Sequence, residues 1–229
     1  MDGEAGAERV VLFSRLWEVS DFSLQVDFTQ SLVERFTAYH RSYVCKAGLG
    51  DVMLGAAATV ADYNGVAKAS HIKDKLVEIA YLNENIAGTA MASSYGGKAT
   101  PSGNFLPDVM MANICKHNVT KLPYEISRLA QDLAGGLIVT LPADKEFRND
   151  VAGPMLEKYL KGKKGVTVEN RRRILRLIEN MTMGRNAVGY LSESLHGAGS
   201  PQAQRVLIQR LFDLENKKRL AKHLAGIVE

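Results

Sequence analysis

Hydrophobic residues change period near residue 29, and that change divides the chain. Val10 to Phe13 form a short apolar run, followed by a loose alternation through Leu16, Phe22, Leu24, Val26 and Phe28. A period of two is that of a strand, so residues 1–28 read as a strand-like leader, the remnant of an upstream β domain. From Thr29 the apolar positions Leu32, Val33, Phe36 and Tyr39 fall at three- and four-residue steps, the spacing of a helix face. This helix is expected to reach about Lys46 and to break at Gly48 and Gly50. Asp51 would cap a second helix running to Tyr63, ended by the Asn64-Gly65 pair. A third is expected from Ser70 past Ala92, with Leu76, Ile79, Leu82, Asn83 and Ile86 on its inner stripe. Lys98 to Asn104 reads as a polar loop, and Val109 to Asn118 as a short helix. Pro123 suits a first helical turn, with Glu125 near the positive end of a helix that runs to Leu133 and stops at Gly135-Gly136. Leu137 to Leu141 reads as extended. The remaining helices are expected near 153–161, 167–182, 186–195 and 201–224, the last opened by Ser200 as N-cap and Pro201. The pattern predicts an all-α helical bundle over 29–229 behind the leader.

Composition narrows the class without choosing a function. The 229 residues are 46% hydrophobic and 24% charged, enough for a sizeable core. A net charge of +4 permits an anionic ligand and does not call for nucleic acid. Two cysteines, Cys45 and Cys115, are too few for a disulfide framework and suit reduced thiols. Met1 to Arg9 are acidic and polar, unlike a signal peptide, and no apolar run has the length of a membrane span. The expectation is a cytoplasmic protein.

Three segments carry candidate chemistry. His40 and Cys45 are both metal-ligand types, within His40-Arg41-Ser42-Tyr43-Val44-Cys45-Lys46. Five residues turn an ideal helix by about 500°, which leaves the two about 140° apart, so sharing one cluster requires a break or bulge. The alternative is a buried cysteine and a hydrogen-bonded histidine. In the second segment Arg128 and Gln131 share a helix face, and Gly135-Gly136 lets a ligand approach backbone amides; the alternative is a solvated face with a glycine stop. In the third, Glu193 and His196 lie three apart before a glycine-rich turn able to offer amides to an anion, or form a plain helix corner. The basic stretch Lys161, Lys163, Lys164 and Arg171 to Arg173 reads as a solvated face. Met110, Met111, Met181 and Met183 read as core filling.

Together these segments resemble the 4-hydroxybutyryl-CoA dehydratases. The run Asn118 to Gly136 looks like their signature helix; His40-Arg41, Ser42-Tyr43, Cys45-Lys46, Gly50-Asp51, Asn64-Gly65, Ala69 to Lys75 and Glu193 to Gln204 match as well. The resemblance implies the helical carboxy-terminal domain of an acyl-CoA dehydrogenase-like fold. It also implies FAD, a [4Fe–4S] cluster, an acyl-CoA substrate, and a homotetramer whose neighbouring subunits or amino-terminal half complete the site. Such enzymes dehydrate 4-hydroxybutyryl-CoA to crotonyl-CoA and isomerise vinylacetyl-CoA. Residue by residue, His40 and Cys45 match cluster ligands, and Tyr43 and Lys46 match polar residues close to the substrate. Glu193 matches a catalytic glutamate, and Arg128, Gln131, Gly135 and Gly136 match residues that contact FAD. The implied roles are His40 as base, Glu193 for a second proton, and iron as Lewis acid. The family separates the histidine and cysteine by seven residues, nearly two full turns; the separation here is five. That departure keeps two other readings open: a flavin-dependent 4-hydroxyphenylacetate 3-hydroxylase-type oxygenase, which shares the fold without the cluster, and an inactive truncated or assembly module.

Overall fold

The computed structural model describes residues 42–227, with side chains from Cys45 onward. The leader 1–28, the helix expected from Thr29 and His40 all lie outside the described residues. The described part is all-α apart from one two-stranded hairpin, as the periodicity predicts.

Two long helices, α1 (Ser42–Tyr63) and α2 (Ser70–Tyr95), lie against one another. They are followed by strands β1 (Lys98–Ala99) and β2 (Phe105–Leu106), then α3 (Val109–Val119), α4 (Leu122–Leu133) and α5 (Leu137–Thr140). A 3₁₀ turn at Glu146–Arg148 leads into α6 (Ala152–Tyr159) and α7 (Val168–Thr182). A second 3₁₀ turn, Arg185–Gly189, precedes the one-turn helix α8 (Glu193–Gly197), α9 (Pro201–Leu211) and α10 (Leu214–Leu224). The core forms where α1, α2, α4 and α7 meet, around Met53, Ala57, Val60, Ile79, Ile126, Ala130, Leu175, Ile178 and Tyr190. Met181 and Met183 pack against it, as expected of core-filling methionines. A smaller cluster joins α2 and α3 through Ile86, Ala90, Cys115, Val119 and Ala198. Among the described residues no helix is long and apolar enough to cross a membrane.

The structure corrects five expectations. Gly48 and Gly50 do not break α1, and Asp51 is mid-helix rather than a cap. Helix glycine costs up to about 1 kcal/mol, but Asn83 of α2 packs directly on Gly50, and the close approach decides the outcome. The polar loop after α2 contains a hairpin, with Lys98 opposite Leu106 and Ala99 opposite Phe105. Two-residue strands are too short to show a period. Leu137 to Thr140 is helical rather than extended, because burying Ile138 outweighs its β propensity. The stretch expected as one helix near 186–195 is a 3₁₀ turn followed by α8. The last expected helix divides at Phe212, after which Asp213 accepts a bond from the Asn216 amide at 2.9 Å and caps α10. Ser200 holds the N-cap position of α9 in extended backbone, without a side-chain cap bond.

Candidate active site

Lys46 stands in the second turn of α1, and its side chain is 1% exposed. A buried ammonium is costly unless paired, and the chain supplies the pairing from its far end. After α7 a left-handed turn at Gly184 (φ +65°) swings the backbone into the 3₁₀ turn, and Tyr190 plugs into the main core. This brings the Gly189 carbonyl and the Glu193 carboxylate to Lys46. The ammonium donates to Gly189 O and meets Glu193 Oε2 at 2.6 Å. Glu193 is 40% exposed, so the pair joins a buried cation to a carboxylate that is partly open to solvent.

Cys45 and Tyr43 share α1 with Lys46. Cys45, next to Lys46, is exposed. Tyr43 lies in the first turn of α1. His196 is exposed at the end of α8, so the carboxylate of Glu193 pairs with Lys46 instead. The turn after α8 does not offer open amides: Ala198 N donates to Ser194 O, and Gly199 N to His196 O. Gln204 Nε2 then covers the carbonyls of Ala198 and Gly199.

The α4–α5 region has a different character. Arg128 is 59% exposed and grips Glu125 with two bonds, Nε–Oε2 at 2.9 Å and Nη2–Oε1 at 2.6 Å. That grip holds the Glu125 carboxyl below its ordinary range and raises the guanidinium further. Gln131, half-buried, donates to the Thr182 carbonyl at 3.4 Å, which ties α4 to the end of α7. Gly135 and Gly136 are exposed, left-handed at φ +70° and +69°, with open space where a side chain would stand. Arg128 lies on the helix that ends at these glycines, and its charge is met by Glu125. The metal reading fares differently: no group of three or more His, Cys, Asp or Glu gathers among the described residues, where Cys45 is its one representative.

The expected basic stretch is a surface of ion pairs. Lys163 meets Asp62 at 2.6 Å, Arg172 and Arg173 share Glu169, and Arg171 bonds Asn64 and the Leu160 carbonyl.

Two polar groups carry no sequence signal strong enough to single them out. Asn83, 2% exposed, binds α1. Lys116 is fully buried on α3, and its ammonium has no hydrogen-bond partner. Burial pulls the Lys116 amine down to about 8 and pushes the neighbouring Cys115 thiol up to about 11. Burial, with Lys121 and Arg205 nearby, also lowers His117. The available signal is a polar residue at an inward position of an apolar stripe, visible for Asn83 in the row Ile79, Leu82, Asn83, Ile86.

Known proteins resemble this chain in sequence and fold. The chain is 46% identical over 235 residues to a 4-hydroxybutyryl-CoA dehydratase/vinylacetyl-CoA-Δ-isomerase of Clostridium aminobutyricum, covering 97% of this chain and 48% of that protein. It thus spans about half the length of that curated relative. A solved structure of an oxygen-tolerant archaeal 4-hydroxybutyryl-CoA dehydratase from N. maritimus superposes with a TM-score of 0.83 at 67% identity, over 88% of this chain and 41% of that one. The oxygenase component of 4-hydroxyphenylacetate 3-monooxygenase, solved with FAD and 4-hydroxyphenylacetate, superposes with a TM-score of 0.72 over 82% of this chain and 39% of that one. Its 23% identity supports the shared fold alone. The profile of the 4-hydroxyphenylacetate 3-hydroxylase C-terminal family matches residues 29–226, and the chain belongs to that family.

Proposed function

We propose that this chain is the carboxy-terminal part of a 4-hydroxybutyryl-CoA dehydratase with vinylacetyl-CoA isomerase activity. It acts in the cytoplasm within a homo-oligomer, with the remaining length of its relatives supplied alongside it. The observation that carries the reading is the Lys46–Glu193 pair at 2.6 Å. Two residues matched separately to the substrate site of the dehydratases, from opposite ends of the fold, stand in contact. The identity to dehydratases, 46% and 67%, supports the same assignment.

The thioester carbonyl of 4-hydroxybutyryl-CoA acidifies only the α hydrogen, so loss of the γ hydroxyl requires help with the β proton. FAD, when bound, supplies an electron sink for that step. Glu193 holds and moves the proton at the β carbon, its carboxylate oriented by the buried Lys46. Tyr43, one turn before Lys46 in the sequence, serves the acyl group, and His40 takes the α proton. Arg128, Gln131, Gly135 and Gly136 hold the FAD nucleotide. His40 and Cys45 stand as ligands of a [4Fe–4S] cluster by sequence match. Cys45 is the one such ligand among the described residues, and the proton at the β carbon is handled by Lys46 and Glu193 without it.

The test is to co-produce the chain with the amino-terminal part of a dehydratase and assay crotonyl-CoA formation. Dehydration, lowered about 10²-fold or more by Glu193→Gln, is the expected result. A stable assembly that forms no crotonyl-CoA would sink the reading and leave an assembly module. The five-residue His40–Cys45 separation favours one second reading, a cluster-free flavin oxygenase. Iron and acid-labile sulfide in the assembly would exclude it.

A further inference from the structure

Asn83 is the polar member of the inward stripe of α2, and its side chain is spent entirely on α1. Its Nδ2 donates to the Ala47 carbonyl at 3.0 Å and to Asp51 Oδ1 at 2.8 Å. Two acceptors on α1 require the NH₂ end of the amide to face them, which fixes its orientation. The Oδ1 end has no hydrogen-bond partner and lies where a Cβ of residue 50 would be. Only the hydrogen of a glycine fits there, making a weak Cα–H···O contact. Three groups of α1 are therefore held by one buried side chain: a carbonyl, a carboxylate and a bare Cα.

These groups follow Lys46 within the next turn and a half of α1. Ala47 follows it in the chain, and Gly50 lies one turn on; four residues rotate a helix by about 400°, so Lys46 and Gly50 share a face. An apolar residue in place of Asn83 would fill the space but would leave α1 able to slide along its axis. A bond to a backbone carbonyl resists sliding. A 2.6 Å ion pair to α8 tolerates displacement of roughly 0.5 Å. We propose that Asn83 is a positioning residue, seating the Lys46 turn of α1 through Ala47, Gly50 and Asp51 so that the ammonium reaches Glu193. The catalytic consequence rests on the dehydratase reading; the seating does not.

The experiment compares Gly50→Ala, Asn83→Ala and the double variant in the complete assembly. Gly50→Ala alone forces a methyl group into the Asn83 amide and is expected to be the least stable. In the double variant the truncated side chain leaves room for that methyl, so the unfolding midpoint recovers. Dehydration should not recover: kcat stays down roughly 10- to 100-fold in Asn83→Ala and in the double variant, with KM within about twofold. A double variant that regains wild-type kcat along with stability would show that Asn83 only fills space. Amide hydrogen exchange across residues 45–51 of the full 229-residue chain gives an answer independent of activity. Asn83→Ala should speed it by about tenfold or more while leaving residues 56–61 unchanged. Unaltered exchange would overturn the proposal. If the wild-type assembly fails to dehydrate, the functional reading falls and the exchange data still decide the seating.

Discussion

The α1–α8 corner and the α4–α5 surface are both marked in the sequence, but they hold their charges in opposite ways. At the corner, a lysine 1% exposed depends on a glutamate and a carbonyl delivered from the far end of the chain. On the surface, Arg128 is 59% exposed and satisfied by Glu125 one turn away on its own helix. The first arrangement exists only when the tertiary fold exists, and removing one partner strands a buried charge. The second forms wherever α4 forms, and water replaces whatever is removed. Losing one side chain is therefore expected to cost stability at the corner and little on the surface.

Breaking the corner should have the largest effect. Glu193→Ala leaves the Lys46 ammonium with the Gly189 carbonyl alone. A fully buried pair loses about 3–5 kcal/mol when one partner goes; with Glu193 partly exposed the expected loss is roughly 2–3 kcal/mol, read by urea unfolding. A loss indistinguishable from zero would mean that solvent, not Glu193, satisfies the lysine.

Lys116 sharpens the comparison, because it is a buried cation whose ammonium has no hydrogen-bond partner. Lys116→Met should stabilise the fold at pH 7 by roughly 1–3 kcal/mol, as expected when an uncompensated buried charge gives way to an apolar side chain of similar length. The pH dependence carries a sign. The folded-state amine, at about 8 against an ordinary 10.5, releases its proton before the unfolded chain does. The unfolded state then binds more protons between about 8 and 10.5, and stability rises with pH across that window. Cys115, at about 11 against 9.0, works the other way between about 9 and 11, because the folded state keeps its proton longer. The net rise should thus be confined to about pH 8–9 and vanish in Lys116→Met, measured as unfolding midpoints on either side.

Smaller effects belong to the surface. Gly135→Ala forces a side chain into the left-handed region in open space and should cost about 1 kcal/mol in thermal unfolding. Arg128→Ala should leave the unfolding midpoint unchanged, since exposed ion pairs contribute little. In the complete assembly it should release FAD several-fold more readily, seen by equilibrium titration of flavin fluorescence. Unaltered FAD affinity would remove Arg128 from the nucleotide site.

The helices with a strong apolar period are legible in the sequence: α2, α3, α4 and α7 lie within a few residues of their expected places. What periodicity misses has physical causes in particular residues. Gly50 reads as a stop, but Asn83 needs that position bare, and only the packing of α2 reveals it. Asp213 is a cap signal hidden inside an apparently continuous pattern. Of the candidate residues, Arg128, Gln131 and the glycine stop are readable from spacing, because they are local. Lys46 and Glu193 are each marked only by family resemblance, and the contact between them appears only in the fold. Nothing in the periodicity shows that Lys46 is buried, since lysine is rarely enclosed, and its partner lies on another element.

Lys46 and Glu193 should work as one unit in dehydration. The most direct measurement is kcat for crotonyl-CoA formation by the complete assembly carrying Lys46→Met, Glu193→Gln, and both together. If the pair is a unit, the double variant should be no slower than the worse of the two single variants. Losses that multiply in the double variant would show that the two residues act independently and would contradict the account.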